Sequence, residues 1–420
     1  MKVGFLGLGK LGLPVALAVE SRGHEVVGFD VADDVKHIIE AKEIPYREIW
    51  AQDHLDRSKI RFVGVDEVVG FSEIIFVPIQ TPHRPEFEGT TRLPQERADF
   101  DYSWLKRGLT TLSTAIERHG KDKVVVVIST VLPGTMRREI KPLLGEHTKL
   151  CYNPFFIAMG TAMRDFLHPE FVLFGVDDDW AARTAERFYR TITHAPFYKT
   201  TIENAELIKV VYNTFLSTKL AFVNTVMEAC HKLPNTNVDD VMNALKLANV
   251  RIISDKYLSG GMGDGGGCHP RDNIALSWLS RELGLSFDWF QNVMMQREKQ
   301  TEWLADLVEE HAVGRPMTIL GRSFKPETNI TTGSPSILLR NILAERGHDV
   351  FMWDPYTDEA FERAKAAAGR GDEPSIYFIG TKHPEFTAFD FEEGSVVLDP
   401  WRYIPDRPGV TVVPIGDNLE

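Results

Sequence analysis

Cysteine is scarce in this 420-residue chain: Cys151, Cys230 and Cys268 are all it has. Three widely spaced thiols build no disulfide framework and fit a reducing compartment. No CxxC occurs, and the histidines show no metal-ligand spacing, His269 beside Cys268 included, so no metal is expected. No apolar run approaches the roughly 18 residues of a membrane span. Positive charge is short as well: 47 Lys and Arg against 60 Asp and Glu leave a net −13. That balance argues against nucleic acid and anionic membranes as partners. The chain opens directly on a strand-like KVGFLGLG, without the apolar core and cleavage site of a secretory signal, so the cytoplasm is the expected compartment.

At this length two or three domains are expected. Residues 2–7 read as a buried strand, 10–21 as a helix, and 24–30 as a second strand ending in an acid. Further β-rich apolar runs at 73–79, 123–130 and 171–176 alternate with helical stretches, the pattern of a parallel, doubly wound α/β sheet. The first domain is set at 1–198. From 201 the pattern turns helical: 30 residues without Gly or Pro predict one long helix that stops before Pro234. Helices at 238–248, 273–283 and 287–311 complete an all-helical central domain, 199–312. RGHEVVGFD (22–30) then recurs as RGHDVFMWD (346–354), each after a strand and a helical segment. Residues 313–420 are therefore read as a second Rossmann-like domain, without the full glycine signature, and 366–374 as a surface loop.

Gly7-Leu8-Gly9-Lys10-Leu11-Gly12 gives G-x-G-x-x-G after a strand and before a helix, the context that makes this pattern a dinucleotide fingerprint. Gly7 permits the tight turn, Gly9 admits the pyrophosphate, and Gly12 lets helix and strand pack closely. Asp30, at the end of the second strand, accepts from ribose hydroxyls and repels a 2′-phosphate, which favours NAD over NADP. The bland alternative is that the glycines serve only a turn. Thr81 and Thr130 lie just past the C-terminal ends of predicted strands, the edge where doubly wound sheets bind ligands; ordinary loop chemistry accounts for each equally well. On the long helix, Lys209 and Asn213 share a face, with Asn224 three turns on. Flanked by Leu207, Ile208, Val210, Val211, Phe215 and Leu216, that helix reads as buried nearly all round, so its lysine and amides need partners. Snorkelling to solvent is the alternative for Lys209.

Cys268 follows six glycines in eight residues, in GGMGDGGGCHPRDN (260–273). Such glycines let a backbone approach a ligand or adopt φ > 0, and a thiol held there is placed to react. A small buried hydrophobe is the common fate of a free cysteine, but the polar HPRD that follows, with Arg271 and Asp272, weighs against it. A nicotinamide cofactor with an exposed thiol points to oxidation through a covalent carbonyl adduct.

Together these elements resemble the UDP-glucose/GDP-mannose dehydrogenase family, in order, over essentially the whole chain. Its members oxidise the C6 alcohol of a nucleotide sugar to a carboxylate with two NAD, through a cysteine-bound thiohemiacetal and then a thioester. The family's DxRIG...FLxPGxGFGGxCFPKD looks like NVRIISDKYLSGGMGDGGGCHPRD. The resemblance implies that Cys268 is the nucleophile, Asp272 an acid/base-linked carboxylate, and Arg251 an arginine offered near a neighbouring subunit's substrate. Tyr257 and Gly265, in the same stretch, join the substrate-binding residues. AELxKxxxNxFLAxKISFxNE resembles AELIKVVYNTFLSTKLAFVNT, which carries over Lys209 and Asn213 as the groups that stabilise or deprotonate the C6 oxygen. GLAFKPxTDDxRESP looks like GRSFKPETNITTGSP, making Lys325 the phosphate-binding lysine. A homodimer through the long helix is implied too.

The departures are informative. NPEFLREG is here Asn153-Pro154-Phe155-Phe156-Ile157-Ala158-Met159-Gly160, with both glutamates lost, to Phe155 and Met159; Phe155 and Phe156 remain substrate-pocket candidates. The first glutamate is the one implicated in thioester hydrolysis, and phenylalanine supplies no acid–base help. The aspartates and arginine of DDxRES become Asn329, Ile330 and Thr332, and FPK becomes HPR. The expectation is an NAD-dependent dehydrogenase acting on a nucleotide sugar or related phosphorylated nucleoside. Three outcomes follow: full oxidation to a uronate with a substitute base (His269, or Thr130 with a water), arrest at the aldehyde, or a nucleotide-binding module without turnover. The β-hydroxyacid dehydrogenases share the first two domains and a central-helix lysine and asparagine, but neither Cys268 nor residues 315–420.

Overall fold

The structure, a computed structural model, describes the chain except residues 47, 83–98, 159, 253, 255–259, 266–279 and 418–420. Within the long helix the side chains at 214, 216–217, 220–221, 223–225, 228 and 231 also fall outside it, Asn224 among them. Two compact units result, Met1–Thr218 and Lys219–Glu420.

The first unit is an eight-stranded sheet: β1 Lys2–Leu6, β2 Glu25–Phe29, β3 Arg61–Phe62, β4 Ile74–Val77, β5 Lys123–Val127, β6 Thr148–Tyr152, β7 Val172–Gly175 and β8 Phe197–Thr200. Its order is β3-β2-β1-β4-β5-β6-β7-β8, parallel except for the β6–β7 pair. The first six strands follow the dinucleotide-binding order, which reverses between β1 and β4. Along β4, Ile74 and Phe76 enter one core and Ile75 and Val77 the other. Both faces are covered there, which is why β4 is apolar throughout and does not alternate.

The second unit contains a five-stranded parallel sheet, β9 Met317–Leu320, β10 Val350–Trp353, β11 Ile376–Ile379, β12 Val396–Asp399 and β13 Thr411–Pro414. Its order, β10-β9-β11-β12-β13, is doubly wound with the reversal between β9 and β11. Helix Trp289–Ala312 packs Leu304, Ala305, Val308 and Ala312 onto this sheet beside Met317 and Ile319.

The echo seen in the sequence is a repeated geometry. Gly7, at φ +114, donates its N–H to Phe29 O at 2.8 Å, and Gly321, at φ +101, donates to Trp353 O at 2.7 Å. A strand-end aspartate closes each turn. Asp30 accepts from Leu8 N–H at 2.7 Å. Asp354 accepts from Arg322 and Ser323 N–H, each at 2.7 Å, from Tyr356 N–H at 2.8 Å and from His383 Nε2 at 3.1 Å. His383 Nδ1 accepts from Glu327 N–H, so Nε2 carries the proton toward Asp354. Asp354 is fully buried and its oxygens are saturated, whereas Asp30 is only partly buried.

The long helix runs Ile202–Lys232 and ends before Pro234. It is not buried nearly all round: Leu207, Val211 and Phe215, at i, i+4 and i+8, are each about half exposed (48%, 49% and 48%). Apolar flanks alone do not tell a face covered by its own chain from one left bare. Helix Val238–Lys246 has no buried residue. Of the surface loop read at 366–374, the start belongs to helix Phe361–Ala367; the remainder is irregular and mostly exposed.

Candidate functional site

The first half of the site is built at the C-terminal edge of the first sheet. Gly12 opens helix Gly12–Ser21 hard against the turn: a Cβ there would lie 2.3 Å from Gly7 O and 2.9 Å from Pro78 Cγ. Gly9 differs, because a Cβ there would meet nothing within 4 Å. Leu11 precedes the helix, and no side chain caps its first turn. Open space over uncapped N–H groups is an anion cradle. Asp30 Oδ1 also accepts from Ala32 N–H at 3.0 Å, which fixes the carboxylate at the rim. Gly7, Gly9, Leu11, Gly12 and Asp30 thus fit a dinucleotide without a 2′-phosphate, with the diphosphate on the glycines and a ribose on the acid.

The strand-end loops after β4 and β5 meet directly. Thr81 Oγ1 donates to Thr130 O at 2.6 Å, and Ser129 Oγ donates to Ile79 O at 2.5 Å. The structure thereby joins two residues that the sequence singled out separately.

Lys209 is buried, at 8% exposure, and its Nζ donates to Phe155 O at 2.7 Å while lying 5.1 Å from the centre of the Phe156 ring. Burial holds its pKa below the ordinary lysine value. Such an amine exchanges a proton more readily than a surface lysine. Asn213, one turn on, is exposed. Both line a cavity of about 330 Å³, together with Phe156, Tyr212, His168 and Glu170. Phe156 packs on Tyr212 and Phe171, with ring centres 4.6 and 4.8 Å away. The Phe155 ring turns into the core against Phe166, 5.5 Å between centres. Position 155 therefore contributes a backbone carbonyl to the lysine and no side chain. The segment is anchored behind by Asn153, whose Nδ2 donates to Leu173 O at 2.8 Å and whose Oδ1 accepts from Tyr189 OH.

In the second unit, residues 260–265 are laid onto the β9–β13 domain. A Cβ on Gly261 would lie 2.2 Å from the Trp401 ring, and one on Gly265 would lie 3.1 Å from Phe324 Cβ and Pro335 Cδ. Arg402 Nη2 donates to Gly260 O at 2.8 Å, Gln300 Nε2 to Gly261 O at 2.9 Å, and Arg297 to Asp264 O at 3.0 Å and Gly333 O at 3.1 Å. Gly261, Gly263 and Gly265 are not in the positive-φ region. At Gly261 and Gly265 the glycines serve close approach to protein, where the sequence reading had them approach a ligand or adopt φ > 0. Lys325 is exposed on the turn after β9, its Nζ 5.4 Å from the Phe324 ring centre, and Arg251 is exposed. Cys268, Asp272 and Tyr257, with His269, Arg271 and Met159, lie outside the described residues.

Sequence reasoning missed Tyr212, His168 and Glu170, and also Glu206, which is buried one turn before Lys209. Tyr212 was findable, since a tyrosine beside Asn213 shares the lysine's side of the helix. Among the described residues no cluster of His, Cys, Asp and Glu is arranged to hold a metal ion, and no helix is long and apolar enough to cross a membrane.

Three family models match the chain in order: the NAD binding domain of the UDP-glucose/GDP-mannose dehydrogenase family over residues 1–193, its central domain over 203–298 and its UDP binding domain over 318–407. A UDP-glucose 6-dehydrogenase of Haloferax volcanii is 28% identical, with 98% of this chain and 99% of that protein aligned. A GDP-mannose 6-dehydrogenase of Pseudomonas aeruginosa is 27% identical over 84% of this chain and 81% of that protein. The crystal structure of a GDP-mannose dehydrogenase ternary complex from Pseudomonas aeruginosa superposes with a TM-score of 0.87 at 22% identity, covering 98% of this chain and 99% of that one. A UDP-glucose dehydrogenase from Pyrobaculum islandicum gives 0.53 at 26% identity, over 99% and 97%.

Proposed function

We propose, because this chain belongs to the UDP-glucose/GDP-mannose dehydrogenase family, that it oxidises the primary, C6-type alcohol of a nucleotide sugar or related phosphorylated nucleoside. The observation that carries this reading is Lys209, buried with its Nζ on the Phe155 carbonyl and set with Asn213 at a cavity of about 330 Å³, in the unit that bears the dinucleotide fingerprint. Residues 1–198 hold the cofactor, 199–312 form the helical domain, and 313–420 receive the nucleotide, with Lys325 on its phosphates, Arg251, Tyr257 and Phe156 around the substrate, and Phe155 and Gly265 contributing through their backbones alone.

NAD, when bound, accepts the hydride. Lys209, with a water linked to Asp272, manages the hydroxyl proton as the carbon is oxidised. Asn213 donates to the oxygen on which charge develops. Thr81 and Thr130 bound the loops beside the glycine turn. The Cys268 thiolate adds to the resulting aldehyde; loss of a second hydride from that adduct, for which a second NAD would be the acceptor, leaves a thioester, which water cleaves to a carboxylate and free thiol.

A second reading is favoured by one observation. With the Phe155 ring turned into the core, no carboxylate stands at that position to activate the water, so a thioester would not be released as the acid and the product that turns over is the aldehyde, set free after one hydride. The half-exposed stripe Leu207, Val211, Phe215 and helix Val238–Lys246, which has no fully buried residue, support a homodimer that covers these surfaces with a second copy. The scarcity of cysteine supports a cytoplasmic setting.

The test is NADH formed per substrate consumed, with excess NAD, UDP-, GDP- and TDP-hexoses, and mass analysis of the product. Two NADH and a carboxylate establish the full reaction. One NADH and an aldehyde establish the shortened one. No turnover on any nucleotide sugar, with NADH bound, refutes both and leaves a nucleotide-binding module.

A further inference from the structure

The loop after β5 carries Thr130 and is gripped by more than its neighbouring strand. Tyr102 OH accepts from Leu132 N–H at 3.2 Å and hydrogen-bonds Thr135 Oγ1 at 3.3 Å. On the long helix, the Glu206 carboxylate accepts from Gly134 N–H at 2.5 Å and from Met136 N–H at 2.7 Å, one oxygen for each. Glu206 has no exposed surface. A buried carboxylate is costly unless donors replace its water, and here one donor lies in the Thr130 loop and the other opens the helical segment Met136–Ile140 that continues it. The helix that supplies Glu206 presents Lys209 three residues on and Asn213 seven residues on, the spacing of one helical face.

We propose that Glu206 is a positioning residue for the oxidation: it ties the Thr130 loop to the helix that presents Lys209 and Asn213, so that loop and lysine keep one register. The proposal rests on the dehydrogenase reading above. A glutamine cannot replace the carboxylate, because its amide nitrogen would face an N–H donor to donor and leave one of the two unmatched. Loop displacements of about 1 Å cost up to 100-fold in rate.

The experiment compares wild type with Glu206→Gln and Glu206→Asp. Four quantities are measured: thermal midpoint, NADH affinity, steady-state kinetics on whichever nucleotide sugar the wild type turns over, and amide exchange of peptides spanning 131–140. The expected result for Glu206→Gln is faster exchange in those peptides, NADH affinity within about threefold of wild type, and kcat lower by roughly 10- to 100-fold. Glu206→Asp, which keeps the charge with a shorter reach, falls between; it also serves as the working variant if glutamine prevents folding. A kcat within twofold of wild type despite faster exchange overturns the proposal. So does a kcat loss matched by equal losses of NADH binding and thermal midpoint, which is the mark of a merely structural residue. Wild-type protein without turnover overturns the dehydrogenase reading itself, and that control separates the two failures.

Discussion

Gly9 and Gly12 sit three residues apart in one motif, yet their surroundings predict opposite consequences for the same added methyl. At Gly12 the new Cβ lies 2.3 Å from Gly7 O and 2.9 Å from Pro78 Cγ, the first a backbone atom that cannot swing away. The helix must retreat by about 1 Å, and overpacking of this kind costs roughly 1–3 kcal/mol. In a body of this size each kcal/mol lowers the thermal midpoint by about 2–4 °C, so Gly12→Ala melts roughly 2–12 °C earlier. At Gly9 nothing stands within 4 Å and the backbone is not in the left-handed region. Gly9→Ala therefore leaves stability within about 1 kcal/mol of wild type, or raises it slightly by stiffening the unfolded chain. The space it fills is the one assigned to the diphosphate. Displacing a charged group from N–H donors costs about 1.5–3 kcal/mol, an affinity loss of roughly 10- to 150-fold. Thermal melts and NADH fluorescence titration on both variants decide the matter. A Gly9→Ala protein that binds NADH within threefold of wild type would refute the assignment of that space.

Lys209→Met should slow the first hydride transfer by roughly 10²–10⁴. It should also remove from the pH–rate profile a limb that lies below the ordinary lysine range, since burial lowers this amine's pKa; a profile unchanged in shape would rule the lysine out as the titrating group. Asp354→Asn should destabilise the second unit by an amount on the order of 3 kcal/mol, because donors around a buried, saturated carboxylate lose their acceptor. Burial pushes the Asp354 pKa up, but the bonds from His383 and the Ser323, Tyr356 and Arg322 N–H groups outweigh it and the net direction is down. Its stabilisation is therefore complete above the ordinary carboxylate range, about pH 4, and lost as the pH falls toward the folded value. The asparagine variant should lack that acid dependence in urea titrations, and retention of the full dependence would exclude Asp354 as its source. Val211→Asp should give a monomer by light scattering, and a persistent dimer would place the interface elsewhere.

The parallel core was legible because its strands are short and mainly apolar: β1, β2, β4, β5 and β7 fall inside the runs that composition marks. Three strands of the first sheet went unread: β6, Thr148–Tyr152, is mostly buried, but Thr148 and Lys149 interrupt its apolar run. β3 has two residues, and β8, Phe197–Thr200, has no fully buried position. The glycine fingerprint could be read because each glycine answers a local demand, and the strand-end acid because it closes the same local turn. Glu206 could not, since a glutamate on a helix reads as solvated and its partners lie 70 and 72 residues away in sequence. The Phe155 substitution was visible, but the direction its ring takes depends on Phe166 and the core behind it.

The sealed aspartate of the second unit bears on selectivity. Two Rossmann-like sheets in one chain create a risk of two dinucleotide sites, in which the oxidant would compete with the substrate's own nucleotide for the second. Asp354 has surrendered its lone pairs to Arg322, Ser323, Tyr356 and His383. It offers nothing to an adenosine ribose, while its counterpart Asp30 remains at the rim. Together with the incomplete glycine signature of the Gly321 turn, this spent carboxylate suits the second half poorly to the cofactor that the first half's fingerprint fits. The two ligands can then be sorted without either half abandoning the fold.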